Sequence, residues 1–123
     1  MPRVLIVDDQ RVFRHHLRQL LVYAGLDVVG EAADIAEAER LVQTLQPDLA
    51  IVDVMLPGVN GLEGTPRLQA LQPNLRVILI SAQLNHANAF QKAAHEAGAE
   101  TYIPKDDLNL AVVRAWDREY GQP

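Results

Sequence analysis

Cysteine is absent from the 123-residue chain, which excludes disulfides and thiolate metal sites and agrees with a reducing, cytoplasmic setting. Basic residues are scarce too: 11 Lys and Arg stand against 16 Asp and Glu, a formal net charge of −5. A dedicated nucleic-acid surface needs clustered basic side chains, so direct nucleic-acid binding by this chain is not expected. Long apolar runs are missing as well. The apolar part of "MPRVLIVDDQ" is too short for a signal peptide, and no stretch approaches the ~20 apolar residues of a membrane helix. There is no internal repeat, low-complexity tract or linker, so residues 1–123 are expected to form a single domain. With 49% hydrophobic residues, that domain can bury a sizeable core.

What the chain does contain is alternation. The run Val4 to Val7 is continuous and rich in branched residues, as in a strand covered on both faces. Similar runs recur at "DVVGEA" (27–32), "LAIVDV" (49–54), "VILISA" (77–82) and "TYIP" (101–104). Helical patterns lie between them. Phe13, Leu17, Leu20, Leu21 and Ala24 share one stripe, followed by Gly25 as a C-terminal signal. Ala38, Leu41, Val42 and Leu45 form a second stripe ending before Pro47. A fourth helix turns Phe90, Ala93, Ala94 and Ala97 inward and ends at Gly98. A fifth starts near Asp106 or Asp107, either of which could cap it, and runs through Leu108, Val112, Ala115 and Trp116. In "GLEGTPRLQALQP", Gly64 and Pro66 interrupt the pattern, so the third helix is expected to be short: capped by Thr65, started by Pro66 and ended near Gln72, with Gly61 to Gly64 as an irregular turn. Five strand–helix repeats imply parallel strands with right-handed crossovers, hence a three-layer α/β sandwich.

In such a sheet, functional groups gather beyond the carboxyl ends of the strands. The first strand ends in Asp8 and Asp9, the third in Asp53, the fourth in Ser81 and the fifth near Lys105. Carboxylates gathered this closely repel: one like-charge pair at ~4 Å costs about 4 kcal/mol at an effective dielectric of ~20. One lysine does not offset that, whereas a hard divalent cation does. Mg²⁺ accepts few protein carboxylates and keeps waters and phosphate oxygens in its shell. The chemistry that fits is phosphoryl transfer, with the metal and Lys105 neutralising phosphoryl oxygens and one carboxylate acting as nucleophile.

The segments "VLIVDDQ", "DVMLPGVNG", "LISAQ" and "YIPK" together resemble the four signatures of response-regulator receiver domains of two-component signalling, in order and spacing, over nearly the whole chain. The resemblance implies strand order 2-1-3-4-5 in a flavodoxin-like sheet with five helices. It implies a phosphorylation-controlled switch rather than an enzyme with a substrate of its own. Position by position, Asp53 matches the phosphoacceptor, and Asp8 and Asp9 match the acidic pair that holds Mg²⁺ directly or through water. The backbone carbonyl of Met55 would add a metal ligand, Lys105 would pair with Asp53 or its phosphoryl group, and Gly58 would supply a positive φ in the turn after Pro57. Ser81 matches the hydroxyl that meets the phosphoryl group. Tyr102 matches the switch aromatic, whose ring turns inward when that hydroxyl moves. The implied partners are a histidine kinase or a histidine phosphotransfer protein, with room for a homodimer. The implied output face is the fourth helix, fifth strand and fifth helix. "VVGEAAD" resembles receivers usually attached to helix-turn-helix outputs.

The chain departs from the family pattern after Lys105, where Asp106 replaces a frequent proline; without proline, a cis bond there would cost ~2.5–4 kcal/mol. Met55 and Gln83 occupy the two positions that tune phosphoryl lifetime. Tyr102 also fits plain core packing, Ser81 also fits a strand-end backbone partner, and Trp116 fits core or interface. His15, His16, His86 and His95 read as solvated helix residues. Competing functions are a phosphorylation-independent interaction module on the same fold, an aspartyl-phosphate hydrolase and an FMN binder. Met55 stands where the hydrolase would need an acid, and Asp8 and Asp9 stand where the FMN binder would need hydroxyls and amides.

Overall fold

Val4, Leu5, Ile6 and Val7 are all fully buried, and strand pleating sends them alternately to opposite faces of one sheet. Leu5 and Val7 join a cluster with Ile35, Ala38, Val42, Leu68 and Ala94. Val4 and Ile6 join another with Leu17, Leu21, Val113 and Trp116. Two cores on two faces make three layers. Each fully buried Leu or Ile contributes about 1.5–3 kcal/mol of hydrophobic stabilisation, so double-sided burial is a large share of what holds the sheet.

A computed structural model of the protein describes residues 1–82 and 87–121; the expectations attached to Gln83 and His86 lie outside the described residues. The strands are β1 (Arg3–Val7), β2 (Asp27–Ala32), β3 (Leu49–Asp53), β4 (Arg76–Ser81) and β5 (Thr101–Pro104). The helices are α1 (Arg11–Tyr23), α2 (Ile35–Leu45), α3 (Gly61–Leu71), α4 (Ala87–Ala97) and α5 (Leu110–Tyr120). All strand pairs are parallel, in the expected order β2-β1-β3-β4-β5. The clusters place α1 and α5 on one face and α2, α3 and α4 on the other. Gly25 and Gly98, both at positive φ, follow α1 and α4 as expected. Trp116 is core, and His15, His16 and His95 are exposed.

Two boundaries differ from the sequence expectation. Helix α3 is not short: it spans 11 residues, as α2 does, with Pro66 inside it. Asn60, not Thr65, is its cap, its side chain accepting from Glu63 N at 2.8 Å. Thr65 instead lies inside the helix and its hydroxyl donates back to the Gly61 carbonyl at 2.8 Å. Gly61 to Gly64 form the first turn because packing requires them there: a Cβ on Gly64 would stand 2.4 Å from Ile35 Cδ1. Tertiary fit overrides the local interruption. Helix α5 starts later than expected, capped by Asn109 through Val112 N at 2.9 Å, because Asp106 and Asp107 belong to a separate 3₁₀ turn (Lys105–Asp107).

Candidate functional site

Strand register explains the convergence of the acids. Val7 pairs with Val52, Asp53 with Ile80, and Ser81 with Pro104. One step past Val7 is therefore level with Asp53, and one step past Pro104 is Lys105. Ligand oxygens of Asp8, Asp9 and Asp53 all lie within 4.8 Å of one another. Asp8 is fully buried, Asp53 nearly so, and Asp9 is exposed.

Each buried acid is held on two sides. Asp8 Oδ1 accepts from Gln10 N at 2.8 Å, and its Oδ2 lies 2.8 Å from Lys105 Nζ. Asp53 Oδ1 accepts from Met55 N at 2.9 Å, and its Oδ2 lies 3.1 Å from the same ammonium. Burial pushes the Asp8 carboxyl above the ordinary aspartate range, and the Asp53 charge adds to this, against the lowering pull of Lys105 and Gln10 N. Burial would lower Lys105, but the neighbouring Asp8 and Asp53 carboxylates outweigh it and hold the ammonium above the usual lysine value. A lone lysine thus serves two buried carboxylates.

The donor set fits a hard divalent cation. It consists of oxygen only, without His or Cys, which selects the Mg²⁺ or Ca²⁺ class over zinc. Despite its closeness to Lys105, Asp8 Oδ2 is buried without a hydrogen bond in good geometry, so it keeps lone-pair capacity that a metal could use.

Ser81 is fully buried and Tyr102 is 1% exposed. Burial raises the Tyr102 hydroxyl above the ordinary tyrosine value, against the lowering pull of the Ser81 side chain. The ring meets that of Phe90 in a tilted contact, with centroids 5.2 Å apart and planes at 57°. Tyr102 therefore packs in the core, as its plain-packing reading expects. Met55 reaches the site by its backbone, its side chain being half exposed. Gly58 has φ +73, as the turn requires, and among the described residues there is no cis peptide bond, including after Lys105.

Other residues at the site carried no sequence signal of their role. Arg14 Nη1 donates to the Asp8 carbonyl at 2.6 Å while its Nε pairs with Glu31 at 3.0 Å, and Arg18 Nε pairs with the same Glu31 at 2.6 Å. Gly61 approaches so closely that a Cβ would lie 2.4 Å from the Asp53 carbonyl oxygen. Gln10 and Phe13 touch Lys105. Only the "NG" pair at 60–61 hinted at such a constraint, as a helix cap followed by a residue with no side chain.

Fold and rim define a class: a doubly wound α/β domain whose carboxyl edge carries an acidic, lysine-paired centre suited to a cation and a phosphoryl group. The chain belongs to the response regulator receiver domain family, whose model matches residues 4–113. It is 34% identical over 116 residues to the chemotaxis protein CheY of Thermotoga maritima, covering 94% of this chain and 95% of that protein. It is 38% identical over 116 residues to the DNA-binding transcriptional activator DevR/DosR of Mycobacterium tuberculosis, covering 94% of this chain and 52% of that relative. The CheX-CheY-BeF3-Mg complex of Borrelia burgdorferi includes a solved chain similar to it at TM-score 0.83 and 29% identity, covering 95% of this chain and 88% of that one. Among the described residues, no helix is long and apolar enough to cross a membrane.

Proposed function

We propose that residues 1–123 act as one receiver unit in which Asp53 accepts a phosphoryl group from a histidine kinase or histidine phosphotransfer protein. The observation that carries this reading is the Lys105 ammonium within 3.1 Å of both Asp8 and Asp53, at the rim where Asp9 completes an oxygen cluster. An Asp53 carboxylate oxygen forms the new P–O bond as the donor's P–N bond breaks, and the imidazole nitrogen keeps the electron pair. Asp8, Asp9, Asp53 and the Met55 carbonyl would hold Mg²⁺, which supplies positive charge to the transferring phosphoryl oxygens. Lys105 neutralises the remainder. The Borrelia burgdorferi complex, which holds BeF3 and Mg, supports the same ligand chemistry here.

The signal would leave through Ser81. A phosphoryl oxygen would draw on the buried Ser81 hydroxyl, and the change, passed to the buried Tyr102 ring, would shift the equilibrium of α4, β5 and α5. This face would serve a second copy of the chain or an attached output region, in the cytoplasm. The chain's chemistry would be confined to gaining and losing its own phosphoryl group.

Incubation with Mg²⁺ and acetyl phosphate, followed by intact mass measurement, should add one phosphoryl group, and Asp53→Asn should abolish the adduct. Full adduct on Asp53→Asn, or spectra unmoved by beryllofluoride together with no adduct, would refute acceptance at Asp53.

A further inference from the structure

The side chain of Gln10 occupies the N-cap position of α1 yet makes no capping hydrogen bond. Its Oε1 instead accepts from Lys105 Nζ at 3.3 Å. Three residues on, Phe13 places its ring under the same ammonium, 4.1 Å from Nζ to the ring centroid. Residues at this spacing share one helix face, so the start of α1 presents an amide oxygen and an aromatic face side by side. The Lys105 side chain is only 8% exposed. The ammonium lies 2.8 Å from Asp8 Oδ2 and 3.1 Å from Asp53 Oδ2 and donates to Gln10 Oε1, and Phe13 closes a further side.

We infer that Gln10 and Phe13 form an uncharged cradle that positions Lys105 for phosphoryl transfer to Asp53. The inference rests on the role given to Lys105 above and extends it to two residues. Its physical basis is a competition. A divalent cation among the acids would draw on the same Asp8 and Asp53 carboxylates that face the ammonium, so the charged partners would weaken when the lysine is needed. An amide oxygen and a ring face do not compete in that way, because they are neutral and lie on α1. A ring face holds a desolvated ammonium more strongly than an exposed one. Lys105 therefore stays aimed at Asp53 while its acidic partners turn to the metal.

The test is the rate of Asp53 phosphorylation by acetyl phosphate at saturating Mg²⁺, in a double-mutant cycle of Phe13→Leu and Lys105→Ala. Phe13→Leu should slow the reaction by roughly three- to tenfold, and should slow it no further when Lys105 is already Ala. A trifluorinated phenylalanine at position 13 keeps the shape but drains the ring face of negative charge, and should slow the reaction in the same direction. Equal slowing by Phe13→Leu in both backgrounds would show packing alone and overturn the cradle, as would a fluorinated protein that reacts at the parent rate. If Lys105→Ala alone reacts at the parent rate, the role of Lys105 itself falls, a result distinguishable from failure of the cradle.

Discussion

Glu31 shows how far a single charged side chain can act from the rim. Arg14 joins it to the Asp8 carbonyl, so the last residue pair of β2 is tied to the loop that carries the acids. Burial would raise Glu31, but bonds to Arg18 and Arg14 hold it below the ordinary glutamate value of 4.5. A lowered folded-state value means that its stabilising contribution is complete above about pH 4.5 and is lost as pH falls through the lower folded value. The urea midpoint of Glu31→Gln should therefore lie below the parent's at neutral pH, and the gap should close as the pH drops below that range. At this scale Asp8, Asp9, Asp53 and Lys105 were legible, because charge at the end of an apolar run is unusual. Arg14, Gln10 and Phe13 were not. They look like ordinary helix residues until the fold brings residue 105 beside residue 10.

Helix α4 hydrogen-bonds the backbone of the sheet's edge through Gln91. Gln91 Nε2 donates to the Tyr102 carbonyl at 2.6 Å, and its Oε1 accepts from Tyr102 N at 3.3 Å. It fills the place of a missing strand on β5, which is an edge. Gln91→Ala should leave Tyr102 N without this partner, so its amide should exchange with solvent faster by roughly tenfold, the equivalent of one net hydrogen bond of about 1–1.5 kcal/mol. Unchanged exchange at Tyr102 would show that α4 does not guard the edge. The helices with clean apolar stripes, α1 and α2, were readable in the sequence. Helix α3 was misread because Gly61, Gly64 and Pro66 are poor helix formers locally, and only contact with Asp53 and Ile35 makes the two glycines necessary. The start of α5 was misplaced because three potential caps, Asp106, Asp107 and Asn109, stand close together, and the 3₁₀ turn takes the first two.

Across the whole molecule, the two cores meet the same strands from opposite sides, so the rim rests on a platform buried on both faces. A cation that binds the folded rim but not the unfolded chain stabilises the whole domain, by about 2.7 kcal/mol at a concentration 100 times its dissociation constant. Mg²⁺ should accordingly raise the urea midpoint and a chelator should reverse the gain. Asp9→Asn should reduce the gain sharply without unfolding the protein, since Asp9 is exposed. A midpoint indifferent to Mg²⁺ would leave Asp8 and Asp53 as a lysine-bridged pair with Asp9 beside it and no cation.

The sequence by itself determined the alternation of strands and helices, the parallel sheet and the rim where the acids would gather, because burial on two faces demands continuous apolar runs and a parallel sheet aligns its carboxyl ends. The family resemblance added the strand order. Only the tertiary structure decided that Lys105 spans Asp8 and Asp53, that Gln10 and Phe13 hold it, and that α3 runs through its proline. Those are contacts between residues distant in the chain, and their energies exceed the local preferences that a sequence displays.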